Sequence, residues 1–169
     1  MAAGDVKTEY AASAEITITL DALASSATFV AGRESAAIDN TTNKYLDYLI
    51  SGEITTGTNP TAGEIRIYVV ALMEDSTWPD VFGGDDTAET VTDVNQLSAV
   101  CKLAKVIPTD TTSDQGNFFS PFSVASLFGG VLPKKFSLFV AHNTVANLES
   151  TAGADHNIYY TPVYATVAQ

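Results

Sequence analysis

The stretch Phe118–His142 constrains this chain more than any other. It holds most of the eight phenylalanines, in two apolar runs split by Gly129-Gly130 and by Leu132-Pro133-Lys134-Lys135. Aromatic side chains bury more area than almost any other residue, so so dense a segment belongs in a core. The second run, Phe136–Ala141, is short and apolar, with Pro and Lys before it and His-Asn-Thr after it. That is the profile of a strand in the middle of a packed sheet.

Other stretches carry strand patterns of the half-buried kind. Glu15–Leu20 alternates polar and apolar residues, four of the six β-branched. Tyr45–Ile54 alternates with Leu46, Tyr48, Ile50, Gly52 and Ile54 on one face, and Glu64–Met73 with Ile65, Ile67, Val69, Ala71 and Met73. Ala99–Ile107 makes a fourth strand ending at Pro108, Phe118–Phe128 a fifth or a pair broken at Pro121, and Phe136–Ala141 a sixth. Asn157–Val167 is the last. Its Pro162 cannot donate to a ladder, which predicts an edge position or a bulge. Asp21–Val30 suits a short helix or a loop, and Gly32–Lys44 reads as turns.

Lys, Glu, Gln and Arg, the straight-chain helix formers, are scarce, whereas Gly, Thr, Ser, Asn and Asp are plentiful. The expectation is an all-β, antiparallel β-sandwich with long loops, jelly-roll-like in its connections. An immunoglobulin-like sandwich is the runner-up and lacks the Trp–disulfide signature. At 169 residues one domain is expected, 14–169, preceded by an N-terminal arm over 1–13. Cys101 is the only cysteine and lies in an apolar run, so it reads as a small buried hydrophobe, in keeping with assembly in a reducing cytosol.

The net charge is −12, and residues 1–95 carry 16 acids against 4 bases while 96–169 carry four of each. So acidic a surface repels phosphate backbones, which argues against nucleic-acid binding. A sharper reading is that the neutral part meets a partner and the acidic part faces solvent. The N-terminal residues lack a signal-peptide pattern, and no apolar run approaches the roughly 20 residues of a membrane helix.

Candidate sites are few. His142 and His156 lack the spacing of zinc ligands, and Asp75, Asp80, Asp85 and Asp86 lack that of an EF-hand, so no metal or cofactor site is assigned. No nucleophile elbow or phosphate loop occurs, and no catalytic residue is assigned. The 23-residue span Glu74–Gln96 holds seven acids and no base, together with Trp78 and Phe82. A loop of that length is functional or mobile as a rule. Its aromatics are either anchors for a partner or a plug over the end of the sandwich. Val6 and Tyr10 are the anchors of the arm, which could add a strand to a neighbour's sheet.

Four patterns carry a resemblance: Ile38–Asp47, Glu64–Val69, Ser123–Phe136 and Tyr159–Tyr164. Together they resemble small structural proteins of tailed bacteriophages, a group that includes capsid decoration, or cement, proteins of β-sandwich build. The resemblance implies a non-enzymatic virion protein without cofactors. It would be made in the host cytoplasm and attached to the outside of the head as a dimer or trimer, bridging neighbouring major capsid proteins. Another virion component (tail, head fibre or receptor-binding module) and a carbohydrate-binding sandwich remain as alternatives. In the last, Trp78, Tyr68 and the C-terminal tyrosines would stack on sugars.

Overall fold

The computed structural model describes residues 4–150 and 156–167. In chain order the strands are β1 (Val6–Tyr10), β2 (Ala14–Glu15), β3 (Ala31–Glu34), β4 (Ile38–Asp39), β5 (Asp47–Thr55), β6 (Gly63–Ala71) and β7 (Ala88–Thr90). A helix, α1 (Val94–Val100), leads into β8 (Cys101–Thr109) and β9 (Gly116–Ser123). A single turn, α2 (Val124–Leu127), precedes β10 (Lys135–His142) and β11 (His156–Val167).

These strands make two antiparallel sheets. One runs β1-β11-β5-β9 with β2 also on β11, and the other runs β7-β3-β10-β6-β8 with β4 also on β10. Their inner faces share one core, with Tyr48, Ile50, Ile54 and Ile158 from the first sheet against Ile65, Ile67, Val69, Phe136, Leu138 and Val140 from the second. Each such burial contributes about 2 kcal/mol over exposure. The all-β antiparallel sandwich is therefore observed. The two sheet orders do not by themselves spell out the jelly-roll connection. Among the described strands, no two that are consecutive in sequence pair with each other.

A second buried cluster lies on the outer face of the β10 sheet. Tyr68, Val70, Cys101, Phe139 and Ala141 are covered there by Phe29, Phe82, Val91 and Leu97, with Trp78 packed against them. The span 74–96 is thus a third layer laid on the sandwich, and it contains β7 and the start of α1. Its acids hold it down. Asp80 accepts from the Thr92 amide and hydroxyl (3.0 and 2.6 Å), Asp93 caps α1, and Asp86 binds Arg33 (2.6 Å) and the amide of Thr19 (2.9 Å). Burial opposes the charge on Asp86, but Arg33 and Thr19 still hold its carboxyl below the usual range. Because β10 and β6 are covered on both faces, Phe136–Ala141 reads as a continuous apolar run.

At the border of that layer Glu34 is fully buried. Its carboxylate accepts from the amides of Gly83 (3.0 Å) and Gly84 (2.9 Å) and from the hydroxyl of Ser137 (2.7 Å). Gly84 has φ of +74°, and a Cβ there would stand 2.6 Å from the Trp78 ring, so the turn that meets Glu34 requires glycine. Burial pushes the Glu34 carboxyl above its ordinary value despite those donors.

Several expectations are corrected. Residues 16–20 keep the alternation of buried and exposed side chains, but they form no ladder. The Ile16 amide donates to Ile158 in one sheet, and the Thr17 carbonyl accepts from Ala36 beside the other, so the segment crosses between sheets. Gly32–Lys44 supplies most of β3 and all of β4 instead of turns alone; for Asp21–Val30 the loop, one of its two expected forms, is observed. Ala99 and Val100 end a helix, and the strand starts at Cys101 and continues through Pro108 to Thr109. The run Phe118–Phe128 ends as a helical turn capped by Ser123. Strand β11 is central, flanked by β5 on one side and by β1 and β2 on the other, and it has no bulge. Pro162 is tolerated because its backbone faces the gap between β1 and β2, where only its carbonyl is used, by Ala11 (2.9 Å). The acidic and neutral halves of the sequence do not become two faces, since both sheets interleave strands from each.

Candidate functional site

Each sequence-predicted contact residue has a definite place. Phe82 is buried, its ring edge-on to Phe139 with centroids 5.4 Å apart, and Trp78 packs beside it. Phe82 thus packs within the chain, on the outer face of the β10 sheet and not over the end of the sandwich, whereas Trp78 is only half-buried. Val6 and Tyr10 are 71% and 63% exposed, yet they do not belong to a loose arm. They lie in β1, which is laid along β11 of the same chain; residues 1–3 of the expected arm lie outside the described residues.

The register of β1 makes an unusual projection. Val6 pairs with Val167 and Tyr10 with Val163, while β5 accompanies β11 only as far as Val163. Beyond that point β1 and β11 continue as a two-stranded ribbon. Side chains alternate across a strand, so Val6, Thr8, Tyr10, Ala165 and Val167 share one face and Lys7, Glu9, Tyr164 and Thr166 the other. The polar face is tied through Glu9, which meets Lys7 (2.7 Å), Thr166 (3.0 Å) and Tyr164 (3.2 Å). Lys7 and then Thr166 hold the Glu9 carboxyl below its ordinary range. The apolar face has Val167 at 63% exposure beside Val6 and Tyr10.

The sheet edges differ in how they resist pairing. Strand β9 carries Pro121 within a bulge, where Phe119 and Phe122 oppose Gly52 and Ile50 with an extra residue between them. Strand β8 carries Pro108 with Lys102 and Lys105, and β7 is three residues long. Proline, lysine, bulges and brevity all blunt an edge. Strand β1 has no proline, and its lysine is occupied by Glu9. Among the described residues its outer edge carries none of the other features along five residues and is open to another strand.

The remaining candidates serve the fold. The His142 Nε2–H donates to the Leu23 carbonyl (2.9 Å), which leaves Nδ1 to accept from Thr144 (2.9 Å), and burial lowers its pKa. His156 accepts the Thr55 amide at Nδ1 (3.2 Å) and donates to the Glu149 carbonyl (3.0 Å). Both imidazoles therefore pin backbone. Among the described residues no group of three or more His, Cys, Asp or Glu is placed to hold a metal ion, and no helix is long and apolar enough to cross a membrane. Cys101 is buried, and burial, with Asp80 and Glu34 adding, pushes its thiol up to about 12. One further surface was missed in the sequence. Phe118 (76% exposed) and Tyr159 (41%) flank an open hollow of about 410 Å³ on the outer face of the β11 sheet, with Ser51 and Glu53 between them.

The fold and surface together define an all-β antiparallel sandwich with a covered outer sheet and a projecting ribbon. Comparison with protein-family models and with curated proteins finds no match for the chain.

Proposed function

We propose that this chain is a structural protein of a phage virion, a decoration or cement protein that binds the outer surface of the head and ties neighbouring major capsid proteins together. The observation that carries the reading is the β1–β11 ribbon, with an apolar face and an open strand edge held out from a rigid body. A protein that binds many identical sites under mechanical load needs stiffness and long contacts, and the three packed layers supply the stiffness. A strand from a neighbour added at β1 would gain backbone hydrogen bonds, with register set by Val6 and Tyr10. The resemblance of the four short patterns supports the same role. Attachment as a dimer or trimer, without nucleic acid or membrane, belongs to this reading.

The double substitution Val6→Asp with Tyr10→Asp tests it. Both side chains are exposed, so the domain is expected to keep its melting temperature while binding to heads assembled without this protein weakens by about 100-fold. Deleting residues 2–12 is the blunter version, since it also strips β11 of a partner. Undiminished decoration by the double variant, or its incorporation into tails in place of heads, would reject the proposal.

The hollow between Phe118 and Tyr159 favours a second reading, a carbohydrate-binding sandwich, because aromatic rings beside Ser51 and Glu53 suit the apolar and hydroxyl faces of a sugar. Tyr68 and Trp78, offered from sequence for such a role, are packed on the other sheet. On that reading Phe118→Ala abolishes retention on immobilised host polysaccharide and leaves head binding intact. Equal retention of the variant would exclude this hollow as the glycan site.

A further inference from the structure

On one side of the sandwich both sheets are interrupted at the same level. Strand β1 gives way to β2 across residues 11–13, and β3 gives way to β4 across residues 35–37. Between the two gaps opens a cleft of about 420 Å³. Its mouth is lined by small residues, Ala11 and Ala36 among them, which leave room for a ligand. Its inner wall is made of the half-buried Tyr45 and Tyr160, with Tyr48, 2% exposed, packed behind them in the core. Their rings stand nearly at right angles, Tyr45 to Tyr48 at 85° with centroids 5.7 Å apart and Tyr48 to Tyr160 at 79° and 5.3 Å. Two carboxylates line the cleft as well, and no lysine or arginine does. Asp39 is engaged by Lys135 (2.8 Å), whereas the Glu15 carboxylate has no hydrogen bond or ion pair among the described residues.

We infer that this cleft binds an organic cation, an alkylammonium, quaternary ammonium or guanidinium group seated against the tyrosine wall with Glu15 at the rim. The face of an aromatic ring is electronegative, and Tyr45 and Tyr160 are the two rings of the wall that keep exposed surface. The attraction strengthens as the cation leaves water. Glu15 adds a charge of the right sign from the side, and the net charge of −12 draws cations generally. The inference concerns the isolated chain and stands apart from the decoration reading.

The test is a titration of the isolated protein, followed through the ring resonances of Tyr45 and Tyr160. Choline is compared with dimethylbutanol, its uncharged isostere, and with the tripeptide Gly-Arg-Gly. Choline is expected to move both rings saturably, and dimethylbutanol to bind about tenfold more weakly or worse. Tyr160→Leu, which keeps apolar bulk without the ring face, should weaken choline about tenfold. Glu15→Gln, on the exposed rim, should weaken it about threefold. Tighter binding of the tripeptide than of choline identifies the source of the cation as a protein side chain, and the reverse order identifies a free small molecule. Equal affinity for choline and dimethylbutanol overturns the inference. So does the absence of any ring shift with choline or the tripeptide, or unchanged choline binding by the folded Glu15→Gln variant.

Discussion

Phe139→Ala is expected to lower the unfolding free energy by about 4 kcal/mol, because a fully buried aromatic ring is removed from a site that cannot collapse around the void. Phe139 is the residue on which the third layer rests. Its ring meets Phe82 edge-on and lies 6.2 Å from that of Tyr68. On the neighbouring strand Gly32 leaves it room, since a Cβ there would come within 2.8 Å of the ring. The backbone on either side is held by strands β3 and β6, so the walls of the vacancy stay apart. Trp78, the only tryptophan, belongs to the same cluster, so its fluorescence reports the layer directly. In the variant its emission should shift to the red at denaturant concentrations that leave the far-ultraviolet signal of the sheets intact. Coincident transitions with a loss below about 1 kcal/mol would show that the layer is not built on Phe139.

Glu34→Ala should cost about 3 kcal/mol, by leaving the amides of Gly83 and Gly84 without an acceptor and by opening the border of the same layer. Amide exchange at residues 83 and 84 should accelerate far more than exchange in β10. The effect has a pH signature. The folded-state pKa of Glu34 is raised above the ordinary 4.5, chiefly by burial. The fold therefore holds the proton more tightly than the unfolded chain does. The resulting stabilisation is complete below pH 4.5 and is lost as pH rises through the folded value. The stability gap between the parent protein and Glu34→Ala should accordingly widen on acidification from neutral pH toward 4.5. A gap that stays constant or narrows over that range would mean that Glu34 is not buried in an unfavourable setting for its charge.

How much of this was legible depended on whether a residue's environment lay near it in sequence. Tyr45–Ile54 was readable because one face meets the core and the other does not, so the alternation survives in the letters. The apolar run Phe136–Ala141 announced a central strand, but its lack of alternation also meant that a second face was covered. The cover comes from residues 74–96, whose composition resembles an exposed acidic loop. Those acids read as solvated because their partners, Arg33, Thr19 and Thr92, are set by tertiary structure. Glu34 gave no signal, since a glutamate in a polar stretch is ordinary until two glycine amides fold over it. Helix α1 could have been found from Asp93, whose carboxylate accepts the amides of Asn95 (2.7 Å) and Gln96 (2.9 Å). The edge expected for the strand holding Pro162 failed for a local reason, the gap between β1 and β2. Of the contact residues named from sequence, Val6 and Tyr10 lie on the ribbon, Phe82 is buried and Trp78 half-buried beside it. Exposure of that kind is decided by what folds back, which hydropathy does not encode.

The pairing of β1 with β11 bears on how the molecule is made in the cell. A ribosome delivers residues 6–10 long before residues 156–167, and β5 and β2 wait for the same late strand. Half of the sandwich therefore lacks its central member until translation has passed residue 167, and a polypeptide cut short before residue 156 retains only the β5–β9 pairing of that sheet. Any product lacking residues 156–167 leaves β1 and β2 without their ladder and β5 with one open edge.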